Sequence, residues 1–278
     1  MKIKQYLFVV LLFSYSLIYA KQFNAFDIVS MSSDAYTSKE HILKKYKNNV
    51  KVYSSKTVLF FTLDTEDTLF INFRGTANFV NVQTNAEIQE YQFGNNKNAR
   101  IHMGFYSEAL KSKDQINHIL NKNKKIVLSG HSLGGAVALA MASELFINNY
   151  DVEVYTFGAP PIGNKEFIDG IVKLKHHRYE HDYDMVPKLD NEVIGVFKYA
   201  LTLIKENIEL ADFLVELVNI IESIPYNYIH HSEKIELSND AVLNNDMKSL
   251  PYVVKMMMTP LFYHSIDTYK DFLKNTKD

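Results

Sequence analysis

Cysteine is absent from this chain of 278 residues. Without thiols the protein cannot form disulfides, zinc–thiolate sites, iron–sulfur clusters, a thiol nucleophile or an amino-terminal lipid anchor on cysteine. Any nucleophile must therefore be a serine, a threonine, a lysine or a carboxylate.

An excess of positive charge is also missing. The chain has 30 Lys and Arg against 32 Asp and Glu, which gives a formal net charge of -2. Nucleic-acid-binding proteins usually carry a basic surface, so a nucleic-acid partner is not expected. The content of 47% hydrophobic and 22% charged residues is ordinary for a globular protein and excludes a disordered or collagen-like chain.

Long apolar runs are scarce, and the clearest one is at the amino terminus. In residues 1–20, Lys2 and Lys4 precede an apolar run at residues 6–13, and the small residue Ala20 follows. That order is typical of a signal peptide, and the run is short for the alternative, an uncleaved membrane anchor. We therefore expect export, to the extracellular space or a periplasm, and no transmembrane span after residue 20.

The remaining chain alternates between strand and helix patterns. This alternation predicts an α/β fold with a mostly parallel central sheet flanked by helices. No repeat or linker interrupts it, so residues 21–278 are predicted to form a single domain. Strands are predicted at residues 50–54, 57–63, 68–73, 125–128, 152–157 and 234–237, and helices at residues 104–121, 133–148, 164–172 and 266–274.

Residues 125–136, KIVLSGHSLGGA, carry the strongest catalytic signal. A β-branched strand runs into G-x-S-x-G and then into an Ala-rich helix, which is the context in which this motif presents a nucleophilic serine. Gly130 and Gly134 leave room where a Cβ would meet neighbouring backbone. Ser132 is therefore the predicted nucleophile. The alternative is a Gly-rich helix entry that binds phosphate.

A serine hydroxyl needs a base and an orienting acid, and in this fold they follow the serine in the order acid, then His. Glu180, Asp182 and Asp184 are the candidate acids in the next strand and its exit, and Asp184 is preferred because it comes just before the turn at the strand end. The candidate bases are His230, His231 and His264. His264 is preferred because it precedes a helical carboxyl-terminal stretch, whereas the other two precede a strand.

Donors for an oxyanion are predicted at two places. The backbone N–H of Leu133 follows the nucleophile, and the strand at residues 68–73 ends in Arg74-Gly75-Thr76, where Thr76 could add a second donor. The alternative for the second segment is an ordinary strand exit.

Taken together, the motifs resemble those of the fungal-type class 3 lipases of the α/β-hydrolase superfamily. The matching strings are FRGT at 73–76, IHMGF at 101–105, GHSLGGA at 130–136, YTFGAPPIGN at 155–164, DMVP at 184–187 and YIHHSEKIEL at 228–237. The resemblance implies Ser132, Asp184 and His264 as nucleophile, acid and base, and Thr76 with Leu133 as the oxyanion hole. The resemblance also implies that His230 matches the family's noncatalytic histidine, which precedes a late strand.

The resemblance implies a serine hydrolase that cleaves lipid esters, such as acylglycerols, at a lipid–water interface, with no metal and no organic cofactor. The signal-peptide pattern adds the expectation of export. A phospholipase A1, a general carboxylesterase and an inactive lipid-binding protein are the alternatives. The chain departs from the family at residues 77–86, which lack the usual Trp of a lid helix, and at an amphipathic helical insertion at about 191–228. Either residues 77–86 or residues 196–224 could cover the site.

Overall fold

The computed structural model describes residues 23–54, 59–75, 90–184, 186–188, 224–225, 227–237 and 263–275. The predicted signal peptide, Thr76, residues 77–86 and nearly all of the predicted insertion lie outside these residues. The strands are β1 (Val50–Ser54), β2 (Leu59–Asp64), β3 (Thr68–Phe73), β4 (Glu90–Gln92), β5 (Arg100–His102), β6 (Lys125–His131), β7 (Val152–Phe157), β8 (Gly163–Asn164), β9 (Lys175–His181), β10 (Tyr228–Ile229) and β11 (Lys234–Leu237). The helices are α1 (Ala25–Asp34), α2 (Lys39–Tyr46), α3 (Met103–Ile116), α4 (Leu133–Ile147), α5 (Lys165–Gly170) and α6 (Ile266–Asn275), with 3₁₀ turns at Lys47–Asn49 and Val186–Lys188.

Seven strands form the central sheet, in the order β1-β2-β3-β6-β7-β9-β11. The first two pairings are antiparallel, and the four from β3 to β11 are parallel. Parallel neighbours need crossovers, which α4 and α5 supply. A smaller antiparallel sheet has the order β10-β8-β5-β4. The predicted α/β architecture with a mostly parallel sheet is therefore confirmed.

Side chains of alternate strand residues pack into two hydrophobic cores, one on each face of the sheet. In β3, Leu69, Ile71 and Phe73 pack with α3 and α4, whereas Phe70 packs with α1, α2 and α6 on the opposite face. This follows from the period of two in a strand. α4 lies between the sheet and α3 and is buried almost throughout, which fits its nearly unbroken apolar sequence.

Two predicted boundaries were wrong. The strand predicted to stop at residue 128 continues to His131, because Ser129, Gly130 and His131 stay in register with Tyr155, Thr156 and Phe157 of β7. The helix predicted for 104–121 ends at Ile116, where the chain turns and the N–H of Ile119 donates to the Ile116 carbonyl.

Helices α1 and α2 were not predicted, although their amino termini carry recognisable caps. Asn24 and Asp27 form a reciprocal capping box at the start of α1, and Ser38 caps α2 through the N–H of His41. α1 packs against α6 on one face of the sheet. Among the described residues, no helix has both the length and the apolar content needed to cross a bilayer.

A pair of histidines joins β9 to the segment before β11. Nδ1 of His176 lies 3.1 Å from Nδ1 of His231, whose Nε2 lies 2.9 Å from the Ile171 carbonyl oxygen. A carbonyl only accepts, so His231 carries its proton on Nε2 and accepts from His176 through Nδ1. The Nε2 atom of His176 then accepts from the Thr156 hydroxyl at 2.8 Å. An extra proton on His231 would go to Nδ1 and would place two N–H groups face to face.

We predict that this pair makes the protein less stable in acid. Burial and the nearby charge of Arg178 lower the pKa of His231, so below the ordinary value of about 6.5 the unfolded chain binds a proton that the folded chain does not. The contribution of His231 is therefore complete above pH 6.5 and is lost as the pH falls. His231→Gln removes the titrating ring and keeps an N–H for Ile171. Urea unfolding should show that the variant loses about 1 kcal/mol less than the wild type between pH 7 and pH 5.

The exposed His118 gives a control variant. His118→Gln should show the same pH profile of unfolding as the wild type. A His231→Gln protein with an unchanged profile would contradict the idea that this pair is held neutral.

Candidate active site

The turn between β6 and α4 holds Ser132 in a conformation that L-residues avoid. Its backbone has φ 56° and ψ -128°, in the positive-φ region that costs side-chain-bearing residues roughly 1–2 kcal/mol. The Ser132 N–H donates to the Phe157 carbonyl at 2.9 Å, which ties the turn to the end of β7. The serine is thereby lifted out of the strand at the carboxyl edge of the sheet.

Two glycines permit this turn. A Cβ on Gly130 would overlap the backbone of Gly134, and a Cβ on Gly134 would lie 2.6 Å from the carbonyl oxygen of Phe73. Since backbone cannot give way as a flexible side chain can, both positions need glycine. The sequence pattern therefore reflects close contact between the start of α4 and the ends of β3 and β6.

Three predicted residues meet at this edge. Nε2 of His264 lies 2.8 Å from Ser132 Oγ, and Nδ1 lies 3.0 Å and 2.9 Å from the two carboxylate oxygens of Asp184. All three are buried, with 5%, 4% and 0% of Ser132, His264 and Asp184 exposed. Because an ionised carboxylate only accepts, His264 donates from Nδ1, and its Nε2 lone pair accepts the serine hydroxyl. This is the tautomer that a general base requires.

The Asp184 carboxylate is satisfied although it is fully buried. Besides the His264 ring, the N–H of Val186 donates to Oδ1 at 2.9 Å, and the Tyr269 hydroxyl donates to Oδ2 at 2.6 Å. Burial, reinforced by the negative charge of Asp184, raises the pKa of Tyr269 well above its usual range, so this hydroxyl keeps its proton. Three donors compensate a charge that would otherwise be costly to bury.

The other candidates have different partners. Glu180 pairs with Arg178, and Asp182 lies 3.5 Å from Lys234. His230 contacts the Pro187 carbonyl at 2.8 Å, and burial lowers its pKa to about 4. His231 belongs to the histidine pair described above. Of the weighed acids and bases, only Asp184 and His264 lie against Ser132.

One oxyanion candidate can be located. Leu133 is the first residue of α4, and the first N–H groups of a helix have no acceptor within it. The end of β3 lies against the same turn, since a Cβ on Gly134 would be 2.7 Å from the carbonyl carbon of Arg74. Thr76 follows two residues later, outside the described residues, so its role stays a prediction.

Sequence reasoning missed several residues of this site. Tyr269 lies five residues after His264 on α6, and its hydroxyl also accepts from the His181 N–H at 3.2 Å. His131 was excluded by chain order, yet its ring lies 4.7 Å from that of His264, measured between centroids. Tyr36 follows α1, which was not predicted. The only sequence signals were an aromatic residue near His264 and a histidine beside the nucleophile.

A parallel sheet whose strand-to-helix turn presents a serine to a His–Asp pair defines the α/β-hydrolase class. Within that class, residues 70–193 match the profile of the family described as Lipase (class 3). Through this region the chain is similar to the class 3 lipase family. His264 and Tyr36 lie outside the matched region.

Known relatives cover only parts of the chain. Toxin TseL from Vibrio cholerae is 30% identical over 171 residues, which are 57% of this chain and 25% of the toxin. A secreted mono- and diacylglycerol lipase from Fusarium solani is 29% identical over 135 residues, or 46% of this chain and 40% of the lipase. The chain thus spans well under half the length of these relatives. The structure of the Rhizomucor miehei triacylglyceride lipase shares the fold, with a TM-score of 0.51 and 17% identity over 84% of this chain and 94% of that one.

Gly158 gives a prediction about the packing of the acid. It follows β7 with φ 59°, and a Cβ there would lie 2.5 Å from Asp184 Oδ2 and 2.9 Å from the Tyr269 hydroxyl. Gly158→Ala should therefore destabilise the protein through both backbone strain and displacement of these groups, by about 3 kcal/mol in urea unfolding.

Gly94 is a matched control, because it has the same φ of 59° but nothing within 4 Å of its would-be Cβ. Gly94→Ala should lose only about 1–2 kcal/mol from backbone strain. Equal losses in the two variants would show that the contacts of Gly158 with the acid do not matter to stability.

Proposed function

We propose that this protein is an exported serine hydrolase that cleaves the carboxylic esters of lipids, acylglycerols above all, through an acyl-enzyme. The observation that carries the proposal is the 2.8 Å contact between Ser132 Oγ and His264 Nε2, with the opposite ring nitrogen on Asp184. The site combines a serine held at positive φ, a buried imidazole of the correct tautomer and a fully paired carboxylate. This combination is what nucleophilic catalysis by serine needs.

In the proposed reaction His264 takes the Ser132 proton as Oγ attacks the ester carbonyl. The carbonyl becomes an oxyanion, to which the N–H of Leu133 and the predicted donor at Thr76 hydrogen-bond. Collapse of this intermediate breaks the ester bond, and His264 returns the proton to the leaving alcohol. Water then attacks the acyl-serine with His264 again as the base, which releases the carboxylic acid and restores Ser132. Asp184 holds the ring and stabilises the imidazolium in both halves.

The names of the relatives support lipid esters as the substrate class. An enzyme named as a mono- and diacylglycerol lipase and another named as a lipase are similar to this chain over nearly half its length. We also propose that residues 21–278 form one catalytic domain, because no repeat or linker interrupts the alternation of strands and helices in the sequence. Export rests on the signal-peptide pattern at residues 1–20, and it is supported by a relative that is named as secreted.

Ser132→Ala tests the reaction. Removing the nucleophile should lower kcat for p-nitrophenyl butyrate by about 10⁴-fold or more and should abolish labelling by a fluorophosphonate probe, which reacts with activated serines.

Ser143→Ala is a matched control, since Ser143 is a buried serine in α4, the helix that follows Ser132, and its hydroxyl donates to the Leu139 carbonyl at 2.7 Å. It should keep both the labelling and kcat within about threefold. Retained turnover in a folded Ser132→Ala protein would refute the proposal.

The substrate class needs a separate experiment. Triolein, phosphatidylcholine and a series of p-nitrophenyl esters should be hydrolysed side by side, with Ser132→Ala as the blank. We expect triolein to be cleaved faster than phosphatidylcholine and long acyl chains to be accepted. Faster cleavage of phosphatidylcholine would indicate a phospholipase, and activity on short esters alone would indicate a general carboxylesterase.

A further inference from the structure

His131, the residue before the nucleophile, holds the backbone of the proposed catalytic histidine. Its side chain is buried, and its Nε2 atom lies 2.5 Å from the carbonyl oxygen of His264. On the other side of the ring, Nδ1 lies 2.9 Å from the hydroxyl of Tyr36. The imidazole therefore bridges α1's end and the loop that carries His264.

The partners of His131 determine where its proton resides. The His264 carbonyl has no hydrogen to give, so Nε2 must carry the N–H and donate. Burial, together with the nearby ring of His264, lowers the pKa of His131 well below its ordinary value, so the ring is neutral. In a neutral ring with its proton on Nε2, Nδ1 is an acceptor, and the Tyr36 hydroxyl must donate to it.

Tyr36 is itself held in place. Burial raises the pKa of Tyr36 above its usual range, so the hydroxyl keeps the proton that it donates, and this oxygen accepts from the backbone N–H of Gly75. A Cβ on Gly75 would overlap the Tyr36 hydroxyl. Tyr36 comes just after α1, where its own N–H donates to the Ser33 carbonyl at 3.0 Å. His131 thus lies where three parts of the chain meet, namely the end of β3, the end of α1 and the loop of His264.

We propose that Tyr36 and His131 are positioning residues for the hydrolysis: the Tyr36 hydroxyl holds the ring of His131, whose Nε2–H holds the His264 backbone so that the His264 ring meets both Ser132 and Asp184. The inference rests on the proposed function. Without the Tyr36 hydroxyl, Nδ1 of His131 keeps a buried lone pair with no donor, and the ring loses the bond that holds its far side. The ring is then free to tilt, and its Nε2–H no longer holds the loop of His264 in a fixed place.

Tyr36→Phe tests the first link. Loss of the hydroxyl should lower kcat for p-nitrophenyl butyrate about tenfold while KM changes less than twofold, because ring placement matters most in the transition state. Tyr46→Phe is the matched control, since it removes another tyrosine hydroxyl near the end of α1. That hydroxyl donates to Asp34 at 2.5 Å and does not touch His131. It should leave kcat unchanged. A Tyr36→Phe protein with wild-type kcat would overturn the proposal.

Substitution of His131 tests the second link. Gln can place an amide N–H where Nε2–H lies, so His131→Gln should keep kcat within about threefold, whereas His131→Leu, with no donor, should lose about tenfold or more. Urea unfolding of each variant establishes that the rates belong to folded protein. Equal kcat in the two variants would show that donation to the His264 carbonyl is not needed.

The double variant separates the bond to His131 from other roles of Tyr36, such as its contact with Gly75. In a His131→Gln background there is no imidazole for the hydroxyl to hold, so Tyr36→Phe should cost little in kcat. A tenfold loss in both backgrounds would show that Tyr36 does not act through His131.

A nuclear magnetic resonance measurement decides the inference even if the proposed function fails. In ¹⁵N-labelled protein, the ring nitrogens of His131, assigned by comparison with His131→Gln, should show the proton on Nε2 in both the wild type and Tyr36→Phe. The chemical shift of the unprotonated Nδ1 should change in Tyr36→Phe, because this nitrogen loses the hydrogen bond from the tyrosine hydroxyl. An unchanged Nδ1 chemical shift in Tyr36→Phe would contradict the inference. Failure of the wild type to cleave any ester or to react with a fluorophosphonate would instead contradict the proposed function.

Discussion

The positive φ of Ser132 is the constraint on which the rest of the site depends. A serine at φ 56° is strained, and it keeps this conformation only because the surrounding structure fixes the backbone on both sides of it. β6 stays paired with β7 up to His131 and Phe157, and α4 begins at once with Leu133. The backbone must reverse its direction within one residue, and the hydroxyl then lies beyond the edge of the sheet.

The partners of Ser132 come from distant parts of the chain. Ser132 and Asp184 lie inside the region that matches the class 3 lipase family, at residues 70–193. His264 precedes α6, and Tyr36 follows α1, and these two helices pack together on the face opposite α4. The core formed by α1 and α6 therefore fixes how the imidazole approaches the serine. Substitutions that loosen this core should impair the placement of His264 before they unfold the protein.

A residue of the site could be predicted from the sequence when its signal lies within a short stretch of the chain. Ser132 was predictable because strand, glycines and helix follow one another within twelve residues. The choice of Asp184 and His264 rested on chain order and resemblance, and it was geometry that separated them from Glu180 and His230. Tyr36 and Tyr269 could not be found, because a tyrosine that bonds to a residue far along the chain leaves no local pattern. His131 was passed over because chain order excludes a base, but not a residue that positions one.

The site buries few charges, and its electrostatics follow from this. The Asp184 carboxylate faces three donors, and the two nearby histidines differ in what they can do with a proton. His264 has a carboxylate against Nδ1, so a proton gained on Nε2 forms an imidazolium that Asp184 stabilises. His131 has a hydroxyl and a carbonyl as partners and no carboxylate among them, and burial keeps it neutral. If His131 carried a proton as well, its charge would lie one ring away from the imidazolium and would oppose its formation. A histidine that stays neutral can therefore hold His264 without competing for the proton that the reaction moves.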